Sequence, residues 1–156
     1  MFVLTALALA GTLYGCAPGK RPFLIAQVCL RNVQDVTTFT RELQLIAESE
    51  RVRLIDNSAN TQRELQAIGN PHLENTLRRG VINIGVERGH GVGLMASNVG
   101  SPGGEVAIGF SEGSNAPEAH RFAQMVVSKL EEHWHVEIVP NPAESGALPM
   151  PGCNWQ

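Results

Sequence analysis

The chain has little of what marks most biochemical trades. Only 5% of its 156 residues are aromatic and 17% are charged, with 12 Lys+Arg set against 15 Asp+Glu. A formal net charge of −3 offers no basic surface to a phosphate backbone, so no nucleic-acid partner is expected. There is no Gly-Lys phosphate loop, dinucleotide fingerprint or Cys-x-x-Cys pair, and no cofactor is therefore anticipated. Internal repeats and low-complexity stretches are also missing, and the length suits one domain. Cysteine is scarce, at three residues, and long apolar runs are confined to the N-terminus.

That one run is informative. Residues 1–15 carry no charge, and eleven of them are apolar before the chain turns polar at Pro18-Gly19-Lys20-Arg21. Spanning a bilayer takes about 20 apolar residues, so the run is short for a membrane helix and has the length of a signal-peptide core. It ends Leu13-Tyr14-Gly15-Cys16, which resembles the lipobox of bacterial membrane lipoproteins: Leu three before, a small residue just before, and the Cys that receives the diacylglycerol. The resemblance implies a signal peptide over 1–15, lipid including palmitate on Cys16, and a linker over 16–21. Ala17, rather than Asp, after the modified Cys implies sorting to the outer membrane, with the domain facing the periplasm. Several acyl chains would hold such a protein firmly where one holds it only marginally. Read without the resemblance, Phe2–Leu13 also fits a buried or membrane-inserted helix, with Cys16 an ordinary thiol.

With Cys16 assigned to lipid, Cys29 and Cys153 remain as an even pair in an oxidising compartment, and a disulfide between them is expected. The segment Pro140–Gly152 is long enough to run back along a strand, since thirteen extended residues reach roughly 40 Å. The alternative leaves Cys29 as a small buried hydrophobe and Cys153 as a free thiol in the tail.

Periodicity outlines a domain over 22–139 followed by a Pro-rich tail over 140–156. Phe23–Leu30 reads as a buried strand, and Asn32 or Asp35 can cap a helix over 35–50 whose apolar positions are Val36, Phe39, Leu43 and Ile46. A short strand over Val52–Asp56 and a helix over Thr61–Ile68 follow, ended by Gly69-Asn70-Pro71, whereas 70–80 carries no clear pattern. From Val81 the period becomes two, through Ile82, Ile84 and Val86, and Arg88-Gly89-His90-Gly91 turns the chain into a hairpin with Val92–Ser97. A strand through Val106, Ile108 and Phe110 comes next, then a helix opened by Asn115, Pro117 and Glu118 and running to about Glu132. A last strand alternates Trp134, Val136 and Ile138 with His135 and Glu137. The expected fold is α+β, an α/β two-layer sandwich of order βαβα-βββαβ, with a mixed sheet and helices on one face. In element order alone it resembles the small α/β domains of several envelope lipoproteins and of Tol-type periplasmic components, or a ferredoxin-like variant.

Three constellations could carry chemistry. Gly109-Phe110-Ser111-Glu112-Gly113 is a Gly-x-Ser-x-Gly between a strand and a helix, the context in which a tight turn lifts a nucleophilic Ser clear of a sheet. His90-Gly91-Val92-Gly93 is similar to an oxyanion-loop glycine motif; the acid would be Glu131, Glu132 or Glu144, and the base His120, His133 or His135. A small serine hydrolase using Ser111 is thus the alternative to a binding protein. His133, His135 and Glu137, two apart on one strand, could face a zinc ion together, although one strand supplies an incomplete ligand set and a solvated strand face reads as well; no metal is expected. The third feature is the sheet face away from the helices, carrying Asn83, Gly85, Glu87, Ala107, Gly109, His135 and Glu137, joined by Gly93 in one register. Small residues in strand interiors leave the backbone approachable, which suits a docking partner; a plain solvated face is the other account. Together these readings lead to a lipid-anchored, non-enzymatic binding or adaptor domain whose partner is an envelope protein or a cell-wall component. An immunity-type domain is one form of that class.

Overall fold

The computed structural model describes residues 22–101, 103–139 and Cys153. The expected signal peptide, Cys16, the linker through residue 21 and, Cys153 apart, the tail over 140–156 lie outside the described residues. The elements run β1 (Leu24–Cys29), α1 (Val33–Glu50), β2 (Arg53–Asp56), α2 (Ser58–Ile68), a 3-10 turn (Pro71–Leu73), α3 (Glu74–Arg79), β3 (Asn83–Gly89), β4 (Val92–Ser97), β5 (Glu105–Glu112), α4 (Ala116–Glu131) and β6 (Val136–Ile138). They form one six-stranded sheet in the order β2-β3-β4-β5-β1-β6. No helix among the described residues is long and apolar enough to cross a membrane.

The α+β class and the helices on the sheet are as the periodicity predicts, but the sheet is antiparallel at all five pairings rather than mixed. The physical reason lies in strand insertion. Each of the connections β1-α1-β2 and β5-α4-β6 returns its strand in the starting direction, as a crossover through a helix does. Yet β3, β4 and β5 stand between β1 and β2, and β1 itself inserts between β5 and β6. Strands of like direction therefore never become neighbours.

α1 and α4 lie on the same side of this sheet. Their buried stripes are Phe39, Leu43, Ile46 and Ala47 on α1, and Ala119, Phe122, Ala123, Val126 and Leu130 on α4. These meet the inward residues of the strands, among them Val28, Ile84, Val86, Ala96, Ile108 and Phe110, in one apolar cluster. Burial of each large side chain there contributes about 1.5–3 kcal/mol. α2 buries none of its residues and rides at the periphery.

The helix ends follow from local chemistry. Asn32, extended in backbone, accepts the Asp35 amide at 2.9 Å, and Asn115 accepts that of Glu118 at 3.3 Å. The side chain of Glu118 turns instead to Arg88 of β3 and Arg121 of its own helix. Arg88 also pairs with Glu50 at the end of α1, and its guanidinium lies 5.6 Å from the Phe122 ring centroid. This half-buried cluster ties α1, β3 and α4 together. The Arg121 hydrogen bond, followed by the charges of Arg88 and Arg121, holds the Glu118 carboxyl below its usual value of 4.5.

Candidate functional site

The register settles which residues share the sheet face opposite the helices. Ile55, Gly85, Met95, Gly109 and Ile25 form one row across β2, β3, β4, β5 and β1. Arg53, Glu87, Gly93 and Ser111 form the adjacent row. Strands lie about 4.8 Å apart, so Gly85 and Gly109 sit roughly 10 Å from each other with Met95 standing between them. The result is a groove of about 710 Å³, with Pro22, Ile55, Gly85, Met95, Gly109 and Ser111 among its lining. Met95 is 53% exposed there.

The glycines of this face differ in why they are there. A Cβ on Gly93 would fall 2.2 Å from the Val86 carbonyl oxygen, beside the register shift between Glu87 and Gly89, so the fold itself requires glycine at this position. A Cβ on Gly85 would meet only the Met95 Cε at 3.6 Å and the Leu94 oxygen at 4.0 Å. On Gly109 it would touch Pro22 at 3.4 Å. Neither has a positive φ. Glycine inside a strand costs about 0.5–1 kcal/mol relative to a residue with a side chain, and no packing demand accounts for it at Gly85.

The expected face is only partly assembled. Gly85, Glu87, Gly93 and Gly109 come together with Ser111 around the groove. Asn83 is occupied: its amide nitrogen donates to Thr61 Oγ1 of α2 at 2.8 Å. Ala107 sits in the row Asn83, Ser97, Ala107, Gln27 and Glu137, which places Glu137 on the edge strand β6, away from the groove. His135 precedes β6 and lines a separate recess of about 300 Å³ with Cys29, Arg31, Asp35, His133 and Trp134. The periodicity missed Met95, Ile55 and Pro22. Alternation along β4 holds the clue, because with Leu94 and Ala96 inward, Met95 must point out.

Ser111 does not occupy a nucleophile elbow. It lies within β5, its hydroxyl donating to the carbonyl oxygens of Gly91 at 2.8 Å and Gly93 at 3.3 Å. The turn comes later, at Gly113, whose φ of 59° and closeness to the His90 oxygen explain the second glycine of the motif. His90 and Gly91, at φ 53° and 77°, form the two-residue hairpin turn between β3 and β4. Of the histidines nominated as base, His120 faces Glu112 at 3.7 Å and the Phe23 ring, while His133 faces Glu42 of α1 at 3.6 Å. The trio His133, His135 and Glu137 is likewise not brought to one point, because the turn after α4 swings His133 toward α1 before β6 begins. Among the described residues no group of three His, Cys, Asp or Glu could hold a metal ion.

Cys29 and Cys153 are joined in a disulfide with a Cα–Cα distance of 5.7 Å. The fold and the groove define an antiparallel α+β domain with a glycine-floored groove on the sheet face opposite the helices, a face that is covered at β1, where Ile25, Gln27 and Cys29 are buried. The chain matches no protein-family model, no curated protein and no solved structure.

Proposed function

We propose that this is the folded domain of a lipid-anchored protein of the bacterial envelope, and that it works without catalysis by docking a partner protein or cell-wall component in the groove of the sheet face opposite the helices. The observation that carries the docking reading is the pair Gly85 and Gly109: both lie in strand interiors, and both flank a half-exposed Met95. Bare backbone beside an adaptable thioether suits close approach by another chain. The anchoring reading rests on the lipobox-like Leu13-Tyr14-Gly15-Cys16, and a disulfide between the two other cysteines accords with an oxidising compartment. Tethering would confine the domain near the membrane and raise its effective concentration for neighbours there, so modest affinity suffices.

Two experiments test this. Labelled palmitate is expected in the native chain and absent from Cys16→Ala; label retained in that variant overturns the anchor. A Gly85→Val/Gly109→Val double variant, first shown by circular dichroism and urea unfolding to be folded, is expected to lose partners cross-linked to the native domain in envelope extracts. Undiminished cross-linking by the folded variant overturns the groove as the working surface.

A further inference from the structure

We propose that the outer face of β1, on the side of the sheet away from α1 and α4, is the seat of this chain's own C-terminal segment, residues 140–152, which lies over Ile25, Gln27 and Val139 as a third layer. Ile25 and Gln27 point to that side, yet they are only 2% and 1% exposed. Val139 carries the β1–β6 register one step on, its amide donating to the Ile25 carbonyl at 2.9 Å, and it too is buried. Two strands away in the row of Ile25, Met95 is half-exposed, so the burial is local to β1. The core helices lie on the far side and cannot supply it. α2 is held at Asn83, three strands from β1, and α3 at Ser101 in the loop after β4.

Where the chain leaves this patch and where it returns point to the occupant. It leaves at Val139, beside Ile25, and is bound back to β1 four residues further along by the Cys29–Cys153 disulfide. Four residues of strand span about 13 Å, whereas the thirteen residues between Val139 and Cys153 can reach about 40 Å. The segment is thus pinned at both ends of the patch, with length enough to spread across it. Such double tethering raises its effective concentration there and favours it over a separate partner. Its only charged residue is Glu144, and it sets Leu148 and Met150 among four prolines, Pro140, Pro142, Pro149 and Pro151. Proline reduces the entropy lost on ordering and withholds the amide a regular strand needs, so the covering falls to side chains rather than to a seventh strand. The chain before Pro22, the other candidate cover, meets the face at Gly109 on β5 and is held there at one end only.

The test is methyl NOE spectroscopy on the oxidised full chain. Cross-peaks from the methyls of Ile25 and Val139 to Leu148 or Met150 are expected. Cross-peaks to residues 1–21 instead, or to no residue outside the sheet, overturn the proposal. Hydroxyl-radical footprinting, read by peptide mass spectrometry, then compares the native chain with a Cys29→Ser chain that ends at Val139. Labelling of Ile25 should rise severalfold in the shortened chain while Phe39, in the core, stays protected. Ile25 as well protected in the shortened, folded chain as in the native one overturns the proposal. Should Phe39 also become labelled, the shortened chain is unfolded and the NOEs of the native chain decide. Neither readout needs a partner in the groove, so the docking reading stands or falls separately.

Discussion

Two glycines eight residues apart in sequence, Gly85 and Gly93, look alike on paper and do opposite things in the fold. Gly93 is held against the Val86 carbonyl, so Gly93→Ala forces backbone apart and should lower stability by about 2–4 kcal/mol. Gly85 has room, and Gly85→Ala should raise stability by up to about 1 kcal/mol by removing freedom from the unfolded chain. Urea midpoints of the two variants at a common m-value measure the contrast directly. A loss at Gly85 as large as that at Gly93 would mean that the groove floor is structural after all. The same lesson applies to Ser111. Its pattern is that of a catalytic motif, whereas its hydroxyl serves the β3–β4 turn by bonding Gly91 and Gly93.

Elements are joined across layers by charge as well as by the core. Arg88, Glu50, Glu118 and Arg121 make a compact network between β3, α1 and α4, with Arg88 only 20% exposed. Arg88→Met should cost about 2 kcal/mol, because two carboxylates lose their shared donor. Glu118 titrates below its usual value in the fold, so its contribution is present above pH 4.5 and is lost as pH falls through the folded-state value. Urea midpoints followed downward from pH 6 should therefore drop below about pH 4.5, and Glu118→Gln should flatten part of that drop. None of this network was readable from periodicity, since its members lie on three separate elements. What was readable was each element singly. β4 matches its expected span, and helix α1 starts only two residues before the expected one, at Val33. Trp134 was expected in the last strand, but its amide bonds the Leu130 oxygen and its ring packs edge-on against Phe39, so it closes α4 instead. Residues 71–79, illegible as a pattern, form a 3-10 turn and the short α3 because Asn70 caps the turn and Pro71 starts it.

At the scale of the whole molecule the disulfide is the longest-range constraint among the described residues, linking β1 to Cys153 across a sequence separation of 124. Restricting so large a loop in the unfolded chain contributes up to about 5 kcal/mol. A Cys29→Ser/Cys153→Ser chain should accordingly unfold at a markedly lower urea concentration than the oxidised native chain. Equal midpoints would show that the bridge adds nothing to stability. The pairing was legible from the cysteine count once the lipobox resemblance set Cys16 aside, and the placement of the helices from their stripes. Strand order was not, because alternation reports which face a residue takes and says nothing of which strand lies beside it. For the same reason the groove emerged only in part: Gly85 and Gly109 could be placed on one face, but Asn83 and His135 were diverted by contacts with Thr61 and by the turn before β6.

The insertion of β1 between β5 and β6 has a consequence in time. Ala26 waits for Ile108 on one side and Ile138 on the other, so β1, the first strand among the described residues, is among the last to find its neighbours. A chain emerging from a ribosome carries that strand with both edges open until nearly the whole domain has followed. Pairing of such long range is slow, and the interval is the one in which the open edges of β1 leave the chain most prone to mispairing.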